Sequence, residues 1–282
     1  MFTGATSQGD EVVGMTVLQE ELFLVRHLAT DVEVYDGVTL NLQRRLAIDG
    51  LVWPVDMASS VKYKCLYIAG RHHVYRLQLD DDVTTSWPLK EKPHSLSSTP
   101  DGSNVIVTYR AANKLIEYTT HGNQVREICL KGDIIKPIHA VQLTTGNEFV
   151  VSQGEWSDPQ LSVYVVGADG CVRRSFGGPR APASGQLNLA GRFVVDRSGS
   201  VLLSDVYNQR IVVIGSLQNY VRELVSRHDL DRFPSRLCLD ERRGVLYAAV
   251  GEWSGNACAN SHVLAFQVKD KTTGTSCGVG SP

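Results

Sequence analysis

Short apolar runs separated by polar turns recur along the whole chain. The clearest stretch spans residues 192 to 224, where RFVVD, the turn RSGS, VLLSD, the loop VYNQ, RIVVI, the turn GSLQN and YVREL follow one another. Each run is short, rich in Val, Ile, Leu and Tyr, and bounded by Gly, Asn, Asp or Pro, which is typical of β-strands. No window of about 11 residues carries a helical stripe. The pattern therefore predicts four antiparallel strands in this stretch.

The same four-strand unit repeats along the sequence. The apolar runs that open the units follow one equivalent position, which we call the slot. The slot holds a proline or, once, an alanine: Pro54, Pro93, Pro137, Ala190 and Pro234. Neighbouring slots lie 39 to 53 residues apart, and a similar step back from the first one reaches Val12. The longest interval between slots, from Pro137 to Ala190, contains a Gly/Pro/Ser-rich loop at 176–188, which accounts for its extra length. Units of this length must stack, because none of them can bury its own apolar face.

Six such units predict an all-β protein, a six-bladed β-propeller with four-stranded antiparallel blades, because radial closure removes exposed sheet edges. We assign the propeller to residues 12–270. The last unit has three clear strands. Its outer strand comes either from the N-terminal segment, 1–11, as a closing strand, or from the C-terminal tail, 271–282.

Composition narrows the class of protein. With 43% hydrophobic and 21% charged residues the chain has material for a large core. It lacks a run of about 18 apolar residues and a basic-then-apolar leader, so we expect a soluble, cytoplasmic protein that does not enter a membrane. The net charge of −2 provides no global field that would attract nucleic acid.

The cysteines carry a weak signal about compartment. Three of the six, Cys65, Cys129 and Cys238, lie in apolar, strand-like runs, and no two cysteines have C-x-x-C spacing. This arrangement favours buried thiols over disulfides, and hence a reducing compartment.

Residues 176–214, FGGPRAPASGQLNLAGRFVVDRSGSVLLSDVYNQRIVVI, resemble the NHL repeat in the FG start, the V-V-D, the V-L-L-S-D and the N-x-R-I positions. Asn113-Lys114-Leu115 is similar to the Asn-His-Leu that names the family, whereas the other units keep mainly the strand rhythm and the proline. The resemblance implies a module like the C-terminal propellers of tripartite-motif (TRIM-NHL) ubiquitin ligases, which bind protein partners or RNA.

Propeller geometry predicts an axial site. The inner strand of each blade starts near the axis, on the face that also carries the loop between the second and third strands. The second residue after each slot should therefore line the axial mouth: Gly14, Asp56, Ser95, His139, Arg192 and Arg236. Two arginines and a histidine against one aspartate predict a weakly anion-attracting mouth, unless Asp196 or Asp240 neutralises an arginine.

Loops of the same face supply further candidate contacts. Arg71, Arg110 and Tyr207 lie in loops between second and third strands, and the tetrapeptide GEWS, at 154–157 and 251–254, adds Trp156 and Trp253. Aromatic and arginine side chains are the usual anchors of recognition surfaces, although each Trp could instead pack between blades. His72 and His73 lack a third metal ligand at a fixed spacing. Asn113, Asn208 and Arg210 are expected to hold their own blade together through loop hydrogen bonds.

These observations favour a non-enzymatic binding module that recognises a protein or peptide partner through its axial loop face and needs no cofactor. A first alternative is single-stranded RNA, bound through arginine–phosphate contacts and aromatic stacking. A second is a calcium-dependent six-bladed hydrolase or a metal-dependent lyase, for which the predicted mouth offers few oxygen ligands beyond Asp56 and Ser95. A third is a rigid spacer, which would have a featureless axial face.

Overall fold

Six four-stranded antiparallel sheets form a six-bladed β-propeller, which confirms the fold class predicted from the strand pattern. The protein is seen in a computed structural model that describes residues 2–144, 147–154, 160–179, 186–215, 219–230, 232–254 and 257–268. The chain begins with β1 (Phe2–Ala5), which belongs to the last blade. Blade 1 then contains β2 (Val12–Leu18), β3 (Glu21–Arg26), β4 (Asp31–Asp36) and β5 (Leu42–Ala47).

The next three blades follow in chain order, each written from the inner to the outer strand. Blade 2 contains β6 (Asp56–Ser60), β7 (Cys65–Ala69), β8 (His73–Gln78) and β9 (Thr84–Pro88). Blade 3 contains β10 (Ser95–Ser98), β11 (Asn104–Tyr109), β12 (Lys114–Thr119) and β13 (Gln124–Cys129). Blade 4 contains β14 (Pro137–Gln142), β15 (Glu148–Gln153), β16 (Gln160–Gly167) and β17 (Val172–Pro179).

The last two blades complete the ring. Blade 5 contains β18 (Ala190–Val195), β19 (Val201–Asp205), β20 (Arg210–Gly215) and β21 (Asn219–Val225). Blade 6 contains β22 (Phe233–Asp240), β23 (Val245–Ser254), β24 (Ala257–Gln267) and, as its outer strand, β1. A short helix, Arg227–Leu230, precedes the last blade. Among the described residues, no helix is both long and apolar enough to cross a membrane.

The N-terminal segment closes the ring. β1 pairs antiparallel with β24, and Gly9 forms an isolated bridge with Ser261. The buried side chain of Arg26 reinforces this closure, because its Nη1 donates to the carbonyl oxygens of Asp10 (2.6 Å) and Ser261 (3.1 Å). Of the two candidates for the outer strand of blade 6, the structure uses the N-terminal one; residues 269–282 lie outside the described part of the chain.

The core lies between the blades. Six clusters of buried apolar side chains each join one blade to the next, and the cluster that joins blade 6 to blade 1 packs Tyr247 and Ala249 against Leu22 and Leu24. Close packing also reaches the axis. A Cβ on Gly14 would lie 2.6 Å from the backbone nitrogen of Met57, so this position of β2 accepts only glycine without movement of the neighbouring strand.

Strand direction defines two faces. The first and third strands of every blade run one way and the second and fourth run the other. The loops between second and third strands, and the connections from one blade to the next, therefore share the loop face. The turns between first and second strands share the opposite, turn face. The start of each inner strand lies at the loop face.

The cysteine prediction needs a correction. Cys65 and Cys238 are buried thiols as expected, but Cys129 is exposed and Cys171 is half-buried. Cys129 ends β13, the outer strand of blade 3, where alternate side chains face solvent rather than the neighbouring blade. An apolar run on an outer strand therefore did not indicate burial.

Candidate functional site

The structure brings four of the predicted axial residues together. Asp56, His139, Arg192 and Arg236 all line one central cavity of about 400 Å³. They come from blades 2, 4, 5 and 6 and lie 180 residues apart at the extremes of the sequence. These four residues occupy equivalent positions in their repeats, and they accordingly lie at one level of the axis.

A salt bridge crosses the axis at this level. Nη1 of Arg192, in blade 5, lies 2.7 Å from Oδ2 of Asp56 in the opposite blade, and Nη2 donates to the carbonyl oxygen of His94 at 2.8 Å. The side chains of Arg192 and Asp56 are only 6% and 7% exposed. Asp56 also accepts the backbone N–H groups of Met57 (3.0 Å) and Leu96 (2.8 Å). Three blades are therefore tied together where the channel meets the loop face.

The partner of Arg192 is not one of the two carboxylates considered from the sequence. Asp196 accepts hydrogen bonds from Ser198 (2.6 Å) and Ser200 (2.8 Å), and Asp240 pairs with Arg243 at 2.7 Å. Both lie at the turn face, at the far end of their inner strands, whereas Asp56 lies at the same level as Arg192 across the axis. Arg192 is consequently neutralised and is not available as a free cation on the loop face.

Arg236 has no carboxylate partner among the described residues. Its Nε donates to the carbonyl oxygen of Val13 (2.8 Å) and its Nη1 to that of Ser235 (3.0 Å). No acidic side chain among the described residues lies within ion-pair distance of this half-buried guanidinium. Within the described part of the chain, Arg236 is therefore held at the axial level without an ion pair.

Burial and positive neighbours keep the axial histidine neutral. Burial lowers the pKa of His139 well below its usual range, and the charges of Arg192 and Arg236 lower it further, against a hydrogen bond with the backbone of Leu96. Burial likewise lowers the pKa of Arg192 to about 10, despite the attraction of Asp56. The His139 ring packs edge-to-face on Phe193, with centroids 4.8 Å apart, and its Nδ1 has no hydrogen-bond partner among the described residues.

An exposed apolar and aromatic surface lies on the loop face beside the axis. We call it the Trp53 patch; it consists of His27, Leu28, Val52, Trp53 and Arg71. Leu28 is 57% exposed, and Val52 and Trp53 are each 50% exposed. The Trp53 ring contacts the ring of His27 (centroids 6.2 Å apart) and lies under the guanidinium of Arg71, 5.5 Å from its central carbon.

The backbone of this patch is unusual. Leu28 and Trp53 have φ angles of 61° and 52°, in the left-handed region that bulky residues seldom occupy. Thirteen described non-glycine residues have such angles, so the angles do not by themselves mark a functional site. Here they turn two large apolar side chains toward solvent.

Sequence reasoning identified Arg71 but missed Trp53. The tryptophan immediately precedes the proline slot of blade 2, so it lies on the loop face, only three residues before Asp56. The signal available was a tryptophan in a connection between two blades, because such connections lie on the loop face. The prediction considered only the loops inside blades, where the GEWS repeats occur.

The remaining predicted residues divide into three groups. Arg110 is half-buried beside a smaller pocket of about 330 Å³ that His94 and Lys136 also line. Tyr207 packs edge-to-face on Phe233, with centroids 6.0 Å apart. Trp253 belongs to β23, where its backbone pairs with Cys258, but its side chain lies outside the described part, as does the whole of Trp156.

The predicted asparagine and arginine positions fix loops onto their own blades. Asp205, fully buried, accepts hydrogen bonds from Asn208 (2.8 Å), Arg210 (2.8 Å) and the backbone N–H of Asn188 (2.7 Å). Asn113 donates to the carbonyl oxygen of Ile134 at 2.6 Å. These contacts fix loops onto strands. Among the described residues, no group of three or more His, Cys, Asp or Glu side chains is placed to hold a metal ion.

Comparison with known proteins supports the fold. No family model and no curated protein matches this chain. A structural-genomics protein of unknown function from Bacteroides thetaiotaomicron VPI-5482 is similar in structure (TM-score 0.69, 12% identity, 93% of this chain and 72% of that chain covered). Hydrazine synthase from Kuenenia stuttgartiensis (TM-score 0.63, 16% identity, 87% and 75% covered) and a streptogramin B lyase (TM-score 0.62, 10% identity, 92% and 94% covered) are also similar. At these identities the likeness shows a shared fold alone.

Proposed function

We propose that this propeller is a non-enzymatic binding module that recognises a protein or peptide partner through its loop face. The observation that carries the proposal is the Trp53 patch. Exposed tryptophan next to arginine is the composition of interaction hot spots, because both side chains bury much area and make directional contacts. Two residues in left-handed backbone hold the apolar side chains in solvent. The NHL-like repeat in blade 5 agrees with this role.

The charges around the patch indicate the chemistry of the partner. Arg71 is exposed and supplies a positive charge over the Trp53 ring, while the exposed His72 and the ring of His27 add polar groups beside it. A segment that carries an aromatic or aliphatic side chain flanked by carboxylates would complement this surface. The apolar side chain would pack on Trp53, and a carboxylate would pair with Arg71.

Single-stranded RNA fits this surface less well. RNA binding needs several cations along a backbone path, and the axial Arg192 is already paired with Asp56. A calcium-dependent hydrolase needs several oxygen ligands at the axis. The oxygens of Asp56 already accept three hydrogen bonds, one of them from an arginine. The described geometry favours peptide recognition over both alternatives.

Selection of peptides from a displayed random library tests the proposal. Selected peptides should combine acidic with aromatic or aliphatic residues, and Trp53→Ala and Arg71→Glu should each weaken their binding at least about tenfold, a loss of about 1.4 kcal/mol. The matched control is Val61→Ala, which truncates a 78% exposed side chain on the turn face. Peptides that bind Trp53→Ala as tightly as the parent would contradict the proposal.

A binding measurement with a single-stranded RNA oligonucleotide distinguishes the RNA alternative from peptide recognition. Binding of a single-stranded oligonucleotide that weakens steeply with salt and depends on Arg71 would favour RNA over peptide.

A further inference from the structure

The central channel below the axial salt bridge is a cavity that the proposed peptide site does not use. It begins at the level of Asp56 and Arg192 and reaches Pro100 and Glu241, which follow the ends of their inner strands. Because inner strands run from the loop face to the turn face, the cavity opens at the turn face. Its volume of about 400 Å³ lies within the range of small-molecule sites.

The two ends of this channel differ in chemistry. Toward the turn face Val141, Val195 and Leu239, each only half-buried, form an aliphatic side of the wall, and Ser59, Ser98 and Glu241 add polar groups to the rest of it. At the deep end lies Arg236, whose guanidinium makes two hydrogen bonds to carbonyl oxygens and no ion pair with the described residues. An ionised group withdrawn from water is costly unless an opposite charge compensates it.

The deep end is also incompletely hydrogen-bonded. Nδ1 of His139, which lines the cavity and is 8% exposed, has no partner among the described residues. Because the neutral ring bonds the backbone of Leu96 through its other nitrogen, this Nδ1 is an acceptor, and a water molecule or another donor in the cavity would satisfy it rather than a carboxylate. The carboxylate of Asp56 offers no compensation to Arg236, because it is already committed to Arg192 and two backbone N–H groups.

We propose that the channel binds a small amphipathic organic anion that enters from the turn face. Its carboxylate pairs with Arg236 at the deep end, and its hydrocarbon body lies between Val141, Val195 and Leu239. The neighbouring ion pair contributes no net charge, so the site is selective for a single negative charge. This site is separate from the Trp53 patch and independent of peptide binding there.

Isothermal titration calorimetry with octanoate as the probe tests the inference, and 1-octanol serves as its neutral analogue. Octanoate should bind the parent protein saturably with one site, and octanol at least about tenfold more weakly, because it lacks the charge that pairs with the guanidinium. Arg236→Gln should remove the preference for the anion. Its control is Arg242→Gln, a turn-face arginine whose side chain is 74% exposed.

A second variant tests the route without touching Arg236. Val195→Trp fills the channel near the turn face and should abolish octanoate binding, while Val61→Trp, on the exposed turn-face surface, should leave it unchanged. Circular dichroism confirms that each variant is folded. The inference is overturned if octanoate shows no saturable binding, if octanol binds as tightly, or if Val195→Trp binds octanoate like the parent.

Discussion

The salt bridge across the axis makes the Asp56→Ala substitution a severe one. The change removes the counter-charge of Arg192, which is 95% buried, and leaves the N–H of Leu96 without its acceptor. Breaking a buried ion pair from one side typically costs about 3–5 kcal/mol, and an unsatisfied buried N–H about 1–3 kcal/mol. Because the two effects overlap at one carboxylate, we expect a loss of about 4–6 kcal/mol in the free energy of unfolding.

Chemical and thermal unfolding measure this loss. For a chain of this size, each kcal/mol lowers Tm by about 2 °C, so Asp56→Ala should melt about 8–12 °C below the parent. The double variant Asp56→Leu with Arg192→Met replaces both charges by apolar side chains and should be more stable than Asp56→Ala, because no buried charge is left unpaired.

The control is a surface pair. Glu20 lies 3.6 Å from Arg242, and both side chains are largely exposed, so Glu20→Ala should cost less than about 1 kcal/mol. If Asp56→Ala costs no more than this control, or if the double variant loses as much as the two single losses added together, the reasoning about the axial pair is refuted.

Three further predictions concern pH, ring closure and packing. The folded pKa values of His139 and His94 both lie well below that of a histidine in the unfolded chain, so the unfolded state binds more protons below about pH 6.5. Stability should fall toward pH 5 by about 1.4 kcal/mol per pH unit for each of the two histidines, and His139→Gln should lose about half of this slope, as urea titrations at several pH values would show. Arg26→Met should cost about 2–3 kcal/mol, because it breaks the buried ion pair with Glu33, whose carboxylate keeps Arg45 as a partner. It should also speed amide exchange in β1 more than elsewhere, because it unties the N-terminal segment; uniform exchange rates would argue against that closure. Gly14→Ala should cost about 1–3 kcal/mol by denaturant unfolding, because its methyl group meets Met57, whereas a neutral effect would mean that the strands can separate there.

The fold could be predicted from sequence because strand rhythm is local. Each blade repeats the same alternation of apolar runs and turns, and the slots fall at the start of the inner strands: β2 begins at Val12, β14 at Pro137 and β18 at Ala190. Once the register is fixed, radial geometry determines which residues meet at the axis. This is why Asp56, His139, Arg192 and Arg236 could be placed together from their spacing alone.

The contacts within the site could not be predicted in the same way. Which carboxylate neutralises Arg192 depends on side-chain reach across the channel, and the partner is in the opposite blade rather than near in sequence. The exposure of Trp53 depends on a left-handed backbone angle that an apolar residue seldom adopts. The predicted burial of Cys129 was wrong for a related reason, because an apolar run in the sequence does not distinguish an inner strand from an outer one.

Hydrogen–deuterium exchange with a selected peptide bound tests the central claim, that the loop face around Trp53 is the binding surface. We predict slower exchange in the three loop-face connections 27–30, 48–55 and 70–72, and unchanged exchange in the turn between β6 and β7 at the opposite face. Protection confined to turn-face segments, with the Trp53 patch unaffected, would contradict the account.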